Sequence, residues 1–486
     1  MILYEVTERN FANIQGITGK RHLPDETLEE IDFFISTKVK RIIIEYPYVD
    51  KDYRDTYYND FAKRHAEFDR QCVRLHLFSH EFKDISELNE TTFSTFQNGY
   101  QGFIVLRDTK VNTLGRSYIA PAIVNHRSTG YMSLSFTKVH INGFEFTVKA
   151  FPWMHQDGNV SRCAHVALWS VIRYFSDRYP SYSERLLYQI TRLLQSERRT
   201  NPSCGMTLAQ MSQVLKDCNF FPEIYPVEVF EPAFFNRLLY TIVESGIPSV
   251  TALKGSCGEG HAVALLGHGP LKNAVETCKT RTGIVDCYEL VPYLIASDDN
   301  FLPYTKIVSH SADVTNLHGN NYSYENVCAL IVPYYEKMLL DIASIFGGKL
   351  YKGCLCSIEK NFLTFPDKAA ILRRSFLTSS RSYKKFISKH AKDKDFREKI
   401  LLLEMPRFIW LVEYATPEQF EKNDVQWLIV LDASAMNYFD YCFLTIKNGH
   451  DLIINQSDVN PKTPFPRLRL DNLVEKQYTN NLEAVL

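Results

Sequence analysis

Gln156-Asp157-Gly158-Asn159-Val160-Ser161-Arg162-Cys163-Ala164-His165-Val166-Ala167-Leu168-Trp169-Ser170-Val171-Ile172 is the stretch from which the rest of this chain is read. Ala164, Leu168, Val171, Ile172 and Phe175 recur at helical spacing, which predicts a helix from about 162 to 177. Ser161 is a natural N-cap for it, and Cys163 then falls in the first turn. The positive end of a helix dipole favours a thiolate, and the thiolate is the nucleophilic form of cysteine.

Two later stretches answer this one. In Gly260-His261-Ala262-Val263-Ala264-Leu265-Leu266-Gly267-His268-Gly269, His261 heads an apolar strand behind the glycine-rich run from Gly255 to Gly260. A histidine so placed is held at a cleft edge and can act as a base. In Ile295-Ala296-Ser297-Asp298-Asp299-Asn300, Asp298 stands at a strand end, where it can orient the imidazole. Asp299 adjoins it, and only the strand-end position favours Asp298. Gln156, seven residues before Cys163, offers a side-chain N–H to an oxyanion. That spacing also brings His155 and Asp157 into view for the role. Taken singly, each residue has an ordinary structural explanation; a cysteine in an apolar helix is usually a small core residue. The weight lies in residue type, order and local structure agreeing at four places.

Composition sets the frame. At 486 residues the chain exceeds what one core usually serves, so two or three domains are expected. Apolar residues make up 45% and charged residues 23%, which excludes wholesale disorder. A formal net charge of -1 gives no global field for nucleic acid or an anionic membrane. The longest apolar runs are strand-sized, such as 41–46 with Ile42, Ile43 and Ile44, far below the roughly 20 residues of a membrane span. The start, Met1-Ile2-Leu3-Tyr4-Glu5-Val6, lacks the basic beginning and apolar centre of a signal peptide. Eleven cysteines, an odd number, fit free thiols in a reducing cytoplasm better than a disulfide framework.

An α+β fold in three parts is expected. Residues 1–148 read as β-rich, with strands at 40–46, 72–78, 101–107, 116–123, 131–138 and 143–150 and helices near 25–36 and 59–70. The tyrosine-rich segment 46–60 reads as a packed, turn-rich connector. Residues 149–335 place helices before strands. Thr207 and Gln210 form a capping box, and Pro232 opens a helix with Phe235, Leu238, Leu239 and Ile242 on its apolar face, stopped by Gly246. Strands are expected at 247–253, 261–266, 287–296 and 327–332. Residues 336–486 follow as an α+β unit. It has a helix over 335–346, a strand near 369–378, a basic helix around 381–400, strands at 407–414 and 426–432, and a polar tail from 456 on the surface. No internal repeat is present.

Across its middle part the sequence resembles the papain-like cysteine peptidases, most closely the branch that processes bacteriocin leader peptides. The resemblance rests on Gln156, Cys163-Ala164-His165-Val166-Ala167-Leu168, Gly205-Met206-Thr207-Leu208, Gly246-Ile247-Pro248, Gly260-His261-Ala262-Val263 and Asp298. It covers roughly residues 150–333, with an insertion around 270–286. It implies a papain-like domain with its cleft between a helical half and a sheet half. It implies hydrolysis of a peptide or isopeptide bond through an acyl-enzyme. Cys163 is then the nucleophile, His261 the base, Asp298 the orienter and Gln156 an oxyanion donor, with no cofactor and no metal. A protein or peptide is the expected substrate, the flanking parts recognise it or control access, and oligomeric state is not legible.

Other readings compete. The same thiol, base and orienter serve a transglutaminase-like or ligase-like acyl transfer. A peptidase-shaped binding module without activity is another, which the intact Cys163 and His261 argue against. Cys354-Leu355-Cys356 lacks a partner pair at zinc spacing and reads as two thiols on a strand. Arg373, Arg374, Arg381, Lys384, Lys385, Lys389, Lys392 and Lys394 suggest a basic surface. Asp393, Asp395 and Glu398 interleave with it, so it reads as a solvated helix face rather than a nucleic-acid site. Gly347-Gly348 reads as a helix C-cap rather than a cleavage site.

Overall fold

The computed structural model describes residues 3–8, 11, 25–109, 114–125, 129–158, 160–194, 205–254, 260–301, 303–314, 322–347, 353–435, 442–455 and 465–485. Helices and strands are both abundant, and the strands gather into three large sheets and two two-stranded ones, a mixed α+β architecture. No described helix is long and apolar enough to cross a membrane.

The first large sheet has six strands in the order Leu3–Glu8, Arg41–Tyr48, Cys72–Phe78, Tyr100–Leu106, Ser117–Ile119 and Pro152–Trp153, every neighbour antiparallel. It is covered on both faces. Ile42 and Ile44 enter the main core while Ile43, between them, enters a second cluster with Tyr53, Phe78 and Phe103. Burial on both faces is why these strands read as continuous apolar runs. The main core continues without a break into the other two sheets.

The middle sheet runs Phe221–Pro226, Val327–Tyr334, Ser249–Lys254, Gly260–His268, Tyr293–Ser297, Thr305–Val308 and Tyr322–Ser323. Two further strands join it from distant sequence. Gly130–Met132 pairs with Gly267 and His268 of the Gly260–His268 strand, and Glu483–Val485 pairs with Gly130–Met132. The helix Cys163–Arg178 packs across Gly260–His268 and is buried on nearly every side from Ala164 to Phe175. Such a helix is an inner pillar of the fold rather than a surface element. Even Arg173 is buried, donating to Asp52 Oδ2 at 3.1 Å, and Trp169 Nε1 donates to Asp52 Oδ1 at 2.9 Å.

The third large sheet is Gly283–Asp286, Ala370–Ser379, Phe408–Ala415, Trp427–Asp432, Phe443–Asn448, Asp451–Ile454 and Arg467–Arg469. Its first strand comes from the insertion expected around 270–286 and pairs in parallel with Ala370–Ser379. Strand pairings therefore cross both of the boundaries drawn at 148 and 335.

The capping signals at Thr207 and Pro232 are realised. Thr207 Oγ1 accepts from Gln210 N at 3.2 Å while Gln210 Oε1 accepts from Thr207 N at 3.0 Å. Pro232 opens the helix Pro232–Glu244, whose Phe235, Leu238, Leu239 and Ile242 are all buried. Several expectations are corrected. The helix expected at 59–70 lies earlier, at Lys51–Asn59, because Asp50 caps it by accepting from Tyr53 N at 3.0 Å. The strand expected at 116–123 is only Ser117–Ile119, since Pro121 opens a helical turn. The helix expected over 335–346 is reduced to Ile342–Phe346, capped by Asp341, because Val327–Tyr334 stays extended to its end. Gly347 closes that helix at φ +81°, and Gly348 lies outside the described residues. The basic helix divides into Ser380–His390 and Lys394–Leu402, the second restarted by Asp393 as N-cap. The strand Phe221–Pro226 was not expected.

Two chemical expectations also change. Cys354 and Cys356 lie in a helix, Cys354–Phe362, not on a strand, and Cys354 shares a hydrogen bond with Cys442. Arg373 and Arg374 are not surface residues. Arg373 grips Asp286 with two bonds of 2.7 and 2.9 Å and reaches Glu359 at 2.8 Å. Arg374, on the opposite face of the same strand, donates to Glu244 at 2.6 Å and to Glu413 at 2.8 Å. His268 Nε2 completes that network at 2.8 Å from Glu244. Burial alone would raise the Glu244 carboxyl, but Arg374 and His268 hold it down at about 2.

Candidate active site

Cys163 is the first residue of its helix and is half-buried. The loop before it is closed by a tight reciprocal turn. Asp157 Oδ1 accepts from Val160 N at 2.7 Å and from Ser161 N at 3.1 Å, and Ser161 Oγ accepts from Asp157 N at 3.0 Å. Ser161 is therefore not the N-cap. Arg162 occupies that position in extended conformation, and a guanidinium has no acceptor to offer the first turn. The helix thus begins at the thiol itself, with its leading backbone N–H groups directed toward whatever lies beside the sulfur.

His261 is the second residue of Gly260–His268 and is 11% exposed at its side chain. Its Nε2 lies 2.9 Å from Asp298 Oδ1. Asp298 follows directly on Tyr293–Ser297, the neighbouring strand, so sheet register places the two residues together. The aspartate is fixed from several directions. Trp153 Nε1 donates to its backbone carbonyl at 2.7 Å, and Asn300 N donates to Oδ1 at 2.9 Å. The ring of Tyr322 lies against the imidazole, centroids 6.0 Å apart and planes 23° from parallel. That contact covers one face of the imidazole–carboxylate pair.

Cys163 is hydrogen-bonded to the same imidazole. Burial disfavours the charged ring, yet the bonds to Asp298 and Cys163 and the charges of both outweigh it and raise His261 to about 11. The charged, imidazolium form of His261 is thus favoured beside Asp298 and Cys163. Nε2 is engaged by Asp298, which leaves Nδ1 for the thiol. Three residues expected to act together, drawn from a helix start, a strand head and a strand end, meet in one place.

Asp299 is the more distant carboxylate, its Oδ1 lying 3.9 Å from His261 Nε2. Burial and the adjacent Asp298 charge raise it to about 7, only partly opposed by His261. The geometry therefore separates the two aspartates that the sequence left side by side. Gln156 donates from Nε2 to Asn300 Oδ1 at 2.8 Å, which links the loop before Cys163 to the Asp298 turn. Its neighbours are otherwise employed. His155 packs on Trp153, with Glu30 3.5 Å from its Nε2, and burial together with Arg107 lowers it to about 3. Asp157 holds the turn before the helix. Tyr322 and Asn300 were missed in the sequence, since a lone tyrosine or asparagine beyond a strand carries no local signal.

Among the described residues, His261, Asp298 and Asp299 form the one group of histidine, cysteine and acidic side chains with metal-ligand proximity, their donor atoms within 4.8 Å of one another. No protein-family model matches the chain, and no curated protein is significantly similar to it.

Proposed function

We propose that this protein is a thiol peptidase with a papain-like catalytic domain, hydrolysing a peptide or isopeptide bond. The reading is carried by one observation, the convergence of Cys163, His261 and Asp298. In this mechanism the Cys163 thiolate attacks the carbonyl carbon and forms a tetrahedral intermediate. The protonated His261 then gives its proton to the leaving amine, and the acyl group stays on sulfur as a thioester. Water enters next, His261 takes its proton, and the hydroxide so formed attacks the thioester and releases the acid. Asp298 keeps the ring in one orientation and stabilises its charged form throughout. The leading N–H of the helix and the Gln156 amide supply donors for the oxyanion. The Gln156 amide has two N–H bonds, and Asn300 uses one of them.

The test uses full-length protein under reducing conditions with a complex peptide mixture. Cleavage by the wild type, absent in both C163A and H261A, is the expected result, with an acyl adduct on Cys163 trapped by rapid acid quench. Cleavage at the wild-type rate in either variant refutes the assignment. Repeating the reaction with a primary amine present separates hydrolysis from acyl transfer, because a transferase puts the amine into the product.

A further inference from the structure

His261 turns one ring nitrogen toward two adjacent buried carboxylates. Nε2 lies 2.9 Å from Asp298 Oδ1 and 3.9 Å from Asp299 Oδ1, and the aspartates are 1% and 4% exposed. Among the described residues, Asp298 Oδ2 and both Asp299 oxygens lack a hydrogen-bond partner. Three such buried oxygens call for a donor or a cation. The donor atoms of the three residues already lie within 4.8 Å of one another. A tetrahedral zinc ion with bonds of about 2.0–2.2 Å holds its ligands about 3.3–3.6 Å apart, so the 2.9 Å His261–Asp298 contact would open by about 0.5 Å and the widest separation would close by about 1.2–1.5 Å. An imidazole nitrogen with two carboxylate oxygens suits zinc, whereas magnesium and calcium take oxygen ligands.

We propose that His261, Asp298 and Asp299 form a reversible zinc site, and that zinc bound there switches Cys163 off. The site rests on the geometry above, and its inhibitory effect rests on the thiol-peptidase reading. Zinc takes the Nε2 lone pair, and the proton that Nε2 carried passes to solvent. The metallated ring keeps its remaining proton on Nδ1 and is no longer an imidazolium, so the Cys163 thiolate loses its cationic partner and takes up a proton from solvent as the less reactive thiol. Asp298, engaged by the metal, no longer orients an imidazolium. Cys163 is not a ligand, because the two ring nitrogens face different directions.

The experiment measures zinc affinity of full-length protein by competition with a chromophoric chelator, in a non-chelating reductant, alongside alkylation of Cys163 followed by mass spectrometry. One zinc per chain with equal affinity in wild type and C163A is expected, with at least a tenfold loss in D299N. Zinc is expected to slow Cys163 alkylation, and EDTA to restore it. H261Q, which removes the nitrogen ligand, provides a second loss variant if D299N does not fold. The proposal is overturned if wild type takes up no zinc. It is equally overturned if C163A abolishes binding while D299N or H261Q leaves it intact, which identifies thiol ligation instead. If Cys163 shows no privileged reactivity in metal-free protein, the peptidase reading fails, while the chelator competition still decides the site.

Discussion

Replacing Asp298 by asparagine removes one charge from a buried contact with little change in shape. The carboxylate oxygen lies 2.9 Å from His261 Nε2 and is 1% exposed. Two unit charges at that separation interact by about 5–6 kcal/mol at an effective dielectric of about 20. Part of this is offset by the desolvation that asparagine avoids. A charge-assisted hydrogen bond contributes a net of about 1.5–3 kcal/mol. Taking about 2–3 kcal/mol as the loss to the imidazolium, the thiolate–imidazolium pair falls by about 30- to 150-fold. Alkylation of Cys163 near neutral pH should slow by that factor in D298N. The assay is the second-order rate with a small neutral alkylating agent, with mass spectrometry locating the label. Asp299, freed from its neighbour's charge, can partly substitute from 3.9 Å, so D298N/D299N should be slower still. A D298N rate within twofold of wild type would refute the ion-pair reasoning, whatever substrate the protein proves to have.

Other perturbations probe the frame around the site. Arg374→Ala leaves Glu244 and Glu413 buried without their cation, and should cost about 3–5 kcal/mol in urea unfolding; a loss below about 1 kcal/mol contradicts the buried network. Glu30 is raised to about 7 by burial, so the folded protein binds its proton more tightly than the unfolded chain does. Stability from this group is complete below about pH 4.5, falls as pH rises, and is lost above about pH 7. Glu30→Gln should therefore raise the melting temperature at about pH 8, by an amount equivalent to about 1–2 kcal/mol after discounting for partial exposure, and leave it unchanged at about pH 4. Equal shifts at both values contradict the assignment. Residues 149–335 expressed alone lose the strand partners of Gly267, His268 and Gly283–Asp286 and the cation of Glu244. They should give broad, non-cooperative thermal unfolding by circular dichroism, and a sharp transition contradicts this.

Local chemistry was legible in the sequence, and long-range pairing was not. The Cys163 helix, the Thr207 capping box, the Pro232 start, the strand head at His261 and the strand end at Asp298 each announce themselves within a few residues. By contrast, Gly130–Met132, Gly283–Asp286 and Glu483–Val485 are three or four residues long. A strand of that length has almost no periodicity to read, and its partner lies far away in the chain. Arg373 and Arg374 sit close before a run of surface lysines and share their sequence signature. Only the fold brings them Asp286, Glu359, Glu244 and Glu413. The Lys51–Asn59 helix is polar and tyrosine-rich, so its plainest local signal is the Asp50 cap rather than an apolar stripe.

The sheet that carries His261 is stitched from residues near 131, near 264 and near 484. During synthesis this imposes a timetable. A nascent chain that has released Cys163, His261 and Asp298 from the ribosome still lacks the strand that finishes their sheet, and lacks the arginine that neutralises Glu244. Non-local pairings of this kind form late, because chain entropy must be lost before they are rewarded. The sheet that holds His261 is therefore finished only after the Glu483–Val485 strand has been made, well after Cys163, His261 and Asp298 themselves.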